Sequence, residues 1–237
     1  MSGTIALIPA RGLRAGKSRL AGNLPVDARE ALTRRMMRGV IEAARGSGMV
    51  DTIAVMSPDP EALTFAAEID DRVVPLSQDP TRPGLIPAVT AGRDWALTVD
   101  GHTLLILFGD LPLITAHDVR SLATEQSPVV LAPDRHGAGT NALLLRLGER
   151  QSASYQFQFG PGSYQRHLAE AARLDLDVAT RRAPGTAFDL DTPDDLRALL
   201  DAESWESEVE ESAEAAPVLL PAQRHADDLN DEDRAAS

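Results

Sequence analysis

The 237-residue chain has no cysteine, a single lysine and no apolar run approaching 20 residues. Without cysteine there are no disulfides and no thiolate metal sites, so its chemistry must rest on oxygen and nitrogen ligands, a set that suits hard cations such as Mg²⁺. Without a long apolar run, no membrane-spanning helix is expected. The N-terminus passes from Met1 into the short apolar run Thr4–Ala10 with no basic stretch before it, unlike a secretory signal. A cytoplasmic protein with no membrane partner is the expectation.

Acidic residues outnumber basic ones, for a formal net charge of −13. The excess is unevenly placed. Residues 202–237 hold 11 acidic and 2 basic residues, and the remainder is only mildly acidic. Nothing in that distribution makes a basic footprint for nucleic acid. The C-terminal stretch mixes Glu, Ser, Ala and Asp with scattered apolar residues and is too charged to bury a core, so it is expected to be a disordered acidic tail (202–237) behind one domain (1–201).

Within that domain, apolar runs and amphipathic stretches alternate. Strands are predicted at Thr4–Pro9, Thr52–Met56, Val73–Leu76, Thr103–Phe108, Val129–Ala132, Ala142–Arg146 and Asp177–Arg181. Helices are predicted from Pro25 to Gly46, over Glu61–Glu68, Ala88–Leu97, Ala116–Thr124 and Tyr164–Arg173, and from Thr192 to about Leu200. Pro25, Asp27 and Glu30 resemble a capping box; Thr115 caps one helix, and Thr192 with Pro193 and Asp195 starts the last. The alternation implies an α/β domain with a mostly parallel sheet covered on both faces, whose ligands bind beyond the carboxyl ends of its strands.

Three groups of residues at those ends could carry chemistry. The loop after the first strand contains Arg11, Arg14, Lys17 and Arg19, and its lone lysine offers a compact, rotatable charge suited to a triphosphate. The stretch Gly12-Leu13-Arg14-Ala15-Gly16-Lys17-Ser18 is one residue short of a P-loop, and Gly22, Asn23 and Pro25 interrupt the helix that a P-loop needs directly after its lysine. Asp110 follows the strand Leu104–Phe108 in Gly109-Asp110-Leu111-Pro112. Asp189 and Asp191 alternate along an extended segment, so they point the same way. Together the three carboxylates could hold one divalent cation beside the basic loop, although each alone also suits turn or cap duty.

The chain resembles the 2-phospho-L-lactate guanylyltransferase family of coenzyme F-420 biosynthesis, whose bacterial members include phosphoenolpyruvate guanylyltransferases. The resemblance covers roughly residues 4–200. It rests on Ile8-Pro9-Ala10-Arg11, Ala15-Gly16-Lys17-Ser18-Arg19-Leu20, Ser57-Pro58-Asp59, Gly109-Asp110-Leu111-Pro112-Leu113, Ala132-Pro133-Asp134-Arg135, Gly139-Thr140-Asn141-Ala142-Leu143, Phe159-Gly160-Pro161-Gly162-Ser163 and Asp189-Leu190-Asp191-Thr192-Pro193.

It implies a three-layer α/β/α, Rossmann-like nucleotidyltransferase fold, with Asp110, Asp189 and Asp191 at metal-binding positions. Thr140, Gly160 and Ser163 fall where the family holds the acceptor's carboxylate and phosphate. Arg11, Lys17 and Arg19, with Gly84 and Leu85, are expected to bind GTP, and Lys17 and Asp110 to serve catalysis. The family has lysine at Arg11 and asparagine after the Gly84-Leu85 pair, where this chain has Ile86-Pro87.

The expected reaction is GMP transfer from GTP to phosphoenolpyruvate or 2-phospho-L-lactate, with Mg²⁺ as cofactor and pyrophosphate as co-product. Hand-off to the next enzyme of the pathway and a homodimer are further expectations. Another nucleotidyltransferase, of the molybdenum-cofactor guanylyltransferase type, a P-loop-like small-molecule kinase and a nucleotide sensor are the competing readings; release of pyrophosphate, of a nucleoside diphosphate or of nothing separates nucleotidyl transfer, kinase and sensor.

Overall fold

A computed structural model of the chain describes residues 3–14, 16–148 and 152–201. The predicted acidic tail lies outside them. Contacts divide the chain after Leu196, a few residues before the predicted boundary, and the architecture below is that of Met1–Leu196.

Seven strands form one sheet: β1 (Gly3–Pro9), β2 (Thr52–Ser57), β3 (Val73–Ser77), β4 (Gly101–Leu107), β5 (Val129–Pro133), β6 (Thr140–Arg146) and β7 (Val178–Thr180). Their order is β3-β2-β1-β4-β6-β5-β7. Only β6 runs against its neighbours; the β1–β2, β1–β4, β2–β3 and β5–β7 pairings are parallel. The antiparallel β5–β6 pair is the predicted pair of strands flanking the turn at Asp134–Gly139.

The side-chain period of two explains why the central strands read as continuous apolar runs. In β1, Ala6 and Ile8 face a core shared with the first, second and fourth helices, whereas Ile5 and Leu7 face the opposite core. In β4, Leu105 and Leu107 join the first core and Leu104 and Ile106 the second. Helices α1 (Val26–Gly46), α2 (Pro60–Ala67) and α4 (Ala116–Ala123) therefore cover one face, and α3 (Leu85–Thr98) and α5 (Ser163–Arg173) the other. The fully buried Val40 and Ile41 anchor α1, each contributing about 1.5–3 kcal/mol relative to exposure. A four-residue helix α6 (Pro184–Ala187), not foreseen in the sequence, precedes the segment with Asp189 and Asp191. Residues 193–201 form a last helix.

One predicted cap is overturned. Pro25 occupies the N-cap of α1 with no side-chain cap, because proline carries no side-chain acceptor. Glu30 turns instead to Arg34, at 2.8 Å, and to Arg14, at 2.9 Å. The Thr115 cap holds and closes reciprocally with Asp118. Helix α3 starts at Leu85, three residues before its predicted start. Among the described residues no helix is long and apolar enough to cross a membrane.

The topology places the site. From β1 the chain winds outward through β2 to β3, then returns across the sheet to β4, so the loops leaving β1 and β4 part at a switch point between neighbouring strands. Because β6 is antiparallel, its first residues, Thr140 and Asn141, lie at that same edge.

Candidate active site

A cleft of about 700 Å³ opens at this edge. Arg11, Lys17, Arg19, Gly84, Leu85, Asp110, Asp189 and Asp191 all line it. Thr140, Gly160 and Ser163 do not, and stand behind one wall.

The loop after β1 is held from below. Asp59, at the N-cap of α2, accepts the Leu13 N–H at 3.0 Å through one oxygen and the Glu61 N–H at 3.0 Å through the other. Gly12 sits at φ 140°, with any added Cβ 3.0 Å from the Asp59 carboxylate, so glycine is required there. Lys17 adopts the left-handed conformation, φ 54° and ψ 39°. For a non-glycine residue this costs on the order of 1 kcal/mol. Its side chain, only 7% exposed, runs inward and donates to Asp110 Oδ2 at 2.8 Å and Asp191 Oδ1 at 3.1 Å. Arg19 reaches the other Asp191 oxygen at 3.4 Å. Arg11 lines the cleft as an exposed cation.

The carboxylates come from two loops stitched together by the Leu190 N–H, which donates to the Asp110 carbonyl at 3.1 Å. Asp110 Oδ1 is buried and has no hydrogen-bond partner among the described residues. Burial, then the charge of Asp110 and last that of Asp191, raise the Asp189 carboxyl above its usual range, against hydrogen bonds from a backbone N–H and from Asn141. Asn141 Nδ2 contacts Asp189 Oδ1 and the Ala187 carbonyl, each at 3.4 Å.

Among the described residues no three His, Asp or Glu side chains stand together as a ready-made metal cage. Three carboxylates repel one another, and in this chain the Lys17 ammonium takes the place between two of them. The donor chemistry still fits a hard divalent cation. It is all oxygen, it includes a buried carboxylate oxygen with no partner among the described residues, and burial foremost, then the charge of Asp110, raises the Asp189 carboxyl.

Asp195 does more than cap the last helix. It is buried, and its Oδ2 accepts the N–H of Asp191 at 2.9 Å and of Thr192 at 2.7 Å, while its Oδ1 pairs with Arg135. Burial works against its charge, but those bonds prevail and hold its carboxyl below the usual range. Arg135 also donates its backbone N–H to the Ala187 carbonyl at 2.8 Å and lies 4.9 Å from the centre of the Phe188 ring. The extended segment bearing Asp189 and Asp191 is thus clasped at both ends. The Thr192-to-Asp195 spacing was legible in the sequence; the clasp on Asp191 and the roles of Asn141 and Arg135 carried no sequence signal.

Thr140, Gly160 and Ser163 cluster where α5 meets β6, joined by the Tyr164 N–H donating to the Ala138 carbonyl at 3.1 Å. Phe159, next to Gly160, packs 5.1 Å from Phe108, a cleft residue. Thr140 Oγ1 lies 3.1 Å from Nδ1 of the fully buried His167, whose Nε2 accepts the Gln158 N–H at 2.9 Å. That acceptor assigns the proton to Nδ1, so His167 donates to Thr140 and leaves the hydroxyl hydrogen free. Burial is the main cause that lowers the His167 pKa to about 4, so the ring is neutral.

The P-loop alternative fails on local structure. After Lys17 the chain makes a single 3₁₀ turn, Ser18–Leu20, and α1 begins only at Val26, so no helix N-terminus faces the cleft from this lysine.

Residues 4–205 match the family model described as "Guanylyl transferase CofC like". The chain is 40% identical over 198 residues to a phosphoenolpyruvate guanylyltransferase of Sphaerobacter thermophilus, covering 83% of this chain and 92% of that one. It is 41% identical over 197 residues to a protein of the same name from Rubrobacter xylanophilus, covering 82% and 92%. Among solved structures, a putative nucleotide-diphospho-sugar transferase from Desulfovibrio desulfuricans superposes with a TM-score of 0.65 at 16% identity, over 84% of this chain and 87% of the other. A Mycobacterium tuberculosis protein solved in complex with manganese gives a TM-score of 0.53 at 14% identity, over 85% and 99%.

Proposed function

The chain belongs to the CofC-like guanylyl transferase family of nucleotidyltransferases, and from that premise we propose that it moves the guanylyl group of GTP onto the phosphate of phosphoenolpyruvate, or of 2-phospho-L-lactate, releasing pyrophosphate. The observation that carries the proposal is the Lys17 ammonium seated between Asp110 and Asp191 in a cleft at the sheet's switch point.

In this reading Arg11, Lys17 and Arg19 take the triphosphate, and Gly84 and Leu85 border the nucleotide at the start of α3. Asp110, Asp189 and Asp191 hold Mg²⁺, which supplies charge neutralisation to the phosphates; the manganese complex of a protein sharing the fold supports a divalent cation. Thr140, Gly160 and Ser163, behind the Phe108 wall rather than in the cleft, are the acceptor anchor that the family resemblance implies. An acceptor phosphate oxygen attacks the α-phosphorus, and the bond to the bridging oxygen of the β-phosphate breaks. No general base is needed, because the second pKa of a phosphate monoester is about 6. Lys17 and the arginines stabilise the departing pyrophosphate, so the protein's part is positioning and electrostatics. The names of its relatives support phosphoenolpyruvate as the acceptor, and a place in cytoplasmic coenzyme F-420 biosynthesis belongs to the same proposal.

The deciding experiment incubates the chain with GTP, Mg²⁺ and each acid in turn and measures pyrophosphate. Release that depends on one of the acids supports the reading. Formation of GDP in place of pyrophosphate, or no product from either acid, refutes it.

A further inference from the structure

We infer that Asp79 selects guanine, its free carboxylate oxygen accepting hydrogen bonds from the base's N1–H and 2-amino group. The inference rests on the nucleotidyl-transfer reading for its ligand, but it names a residue and a selectivity which that reading leaves open.

The cleft is lined by four carboxylates. Three of them, Asp110, Asp189 and Asp191, belong to the charged end just described; Asp79 is the fourth and follows β3. In the sheet order β3 lies three strands from β4, so at ~4.8 Å per strand the two ends of the cleft are ~14 Å apart. An extended nucleotide can bridge that separation with its phosphates at the aspartates and its base near β3. The wall there is apolar, built by Pro58, Pro80, Pro83 and Leu85, as the flat face of a base requires.

The loop carrying Asp79 is built to present it. Gln78 donates its side-chain amide to the carbonyls of Arg82 at 3.1 Å and Gly84 at 2.9 Å, pinning the loop shut. Thr81 donates its N–H at 2.8 Å and its hydroxyl at 2.7 Å to the same oxygen, Asp79 Oδ1. Those two bonds fix the carboxylate, and the Thr81 hydroxyl foremost holds its pKa below the usual range, so it stays an acceptor. Oδ2 has no hydrogen-bond partner among the described residues.

Base chemistry then decides which ligand fits. Guanine offers two donors side by side, N1–H and the 2-amino group, to one carboxylate oxygen. Adenine offers at N1 a lone pair, which that oxygen repels. At the mouth of α3 the N–H groups of Leu85 and Ile86 precede the first intrahelical donor, so they are available to guanine O6 and disfavour the 6-amino group of adenine. The family's asparagine after Gly84-Leu85 is absent here, and selectivity for guanine does not need it.

The full-length chain and its Asp79→Asn and Asp79→Ala variants are compared with GTP, ITP and ATP. Pyrophosphate release with phosphoenolpyruvate and Mg²⁺ gives kcat/KM, and titration calorimetry gives nucleotide affinity. Asp79 is exposed, and Asn can keep an oxygen toward Thr81 while turning its amide N–H₂ to the base. The expected order for the unmodified chain is GTP, then ITP, which lacks the 2-amino group, then ATP. Asp79→Asn should shrink the GTP-over-ATP preference by about 10- to 100-fold, the worth of a charge-assisted hydrogen bond, through both a loss with GTP and a gain with ATP. Asp79→Ala should lose GTP without gaining ATP. Unchanged preference in both variants overturns the inference. If the unmodified chain binds GTP yet releases no pyrophosphate, the transfer reading falls while calorimetry still decides the role of Asp79; if it does not bind GTP, both fall.

Discussion

The two polar neighbourhoods at the carboxyl edge of the sheet handle buried charge in opposite ways. Around Lys17, Asp110, Asp189 and Asp191 charges are crowded, Asp110 Oδ1 is left without a partner among the described residues, and burial, with the charges of Asp110 and Asp191, raises the Asp189 carboxyl. Behind Phe108 and Phe159, His167 is fully buried but neutral, with one ring nitrogen on Thr140 and the other on the Gln158 N–H, while Glu170 accepts the Gln156 N–H and pairs with Arg173. The second set is paired, save for the Thr140 hydroxyl hydrogen that the proposed acceptor would take, and serves rigidity. The first is unsatisfied in the way that a group awaiting a cation or an anion must be.

If this contrast is right, the largest effect is expected from Asp110→Asn, which should lower acceptor-dependent pyrophosphate release by about 10³-fold while moving unfolding free energy by no more than about 1 kcal/mol. A variant that unfolds as readily as it loses activity would erase the distinction between the two regions.

His167 should show the converse, a stability effect set by pH. Its folded pKa, about 4, lies below the unfolded value of 6.5, so between those values the unfolded chain binds more protons and stability falls as pH falls. The loss from pH 7 to pH 4 should reach about 3 kcal/mol from this residue, read by urea unfolding across the window. Substituting His167→Gln should flatten that slope whatever it does at pH 7; an unaltered slope would show that the ring is not held neutral.

Two helix caps sharpen the contrast further. Asp195→Asn loosens the clasp on Asp191 and should reduce turnover by about 10- to 100-fold while raising the Mg²⁺ concentration needed. Thr115→Ala removes the reciprocal cap with Asp118 on α4, away from the cleft, and should cost about 1 kcal/mol with turnover unchanged. Equal turnover in the two variants would reduce Asp195 to an ordinary cap. The smallest effect belongs to Arg14→Ala: that side chain is 66% exposed, and loss of its pair with Glu30 should shift unfolding by less than about 0.5 kcal/mol.

Much of this was legible in residue order. Alternating apolar and amphipathic segments located all seven strands, because a strand buried on both faces must be apolar throughout. The lone lysine and the two aspartate-bearing turns marked the cleft because such residues are rarely kept near a core without use. Pro25 misled, since a cap is a contact and not a composition. Asn141 was quoted only as part of a motif, and its contact with Asp189 follows from β6 running against β4, which no local pattern announces.

The chain's order of residues was enough to specify its layers, the polarity of its sheet and the chemical kinds of group at its mouth, since propensity and periodicity act over a few neighbours. Three-dimensional folding settled which of those groups meet. Lys17 and Asp191 are 174 positions apart in the chain yet lie 3.1 Å apart in space. Thr140, next in the chain to the cleft-lining Asn141, was turned to the back of a wall because successive residues of a strand face opposite ways.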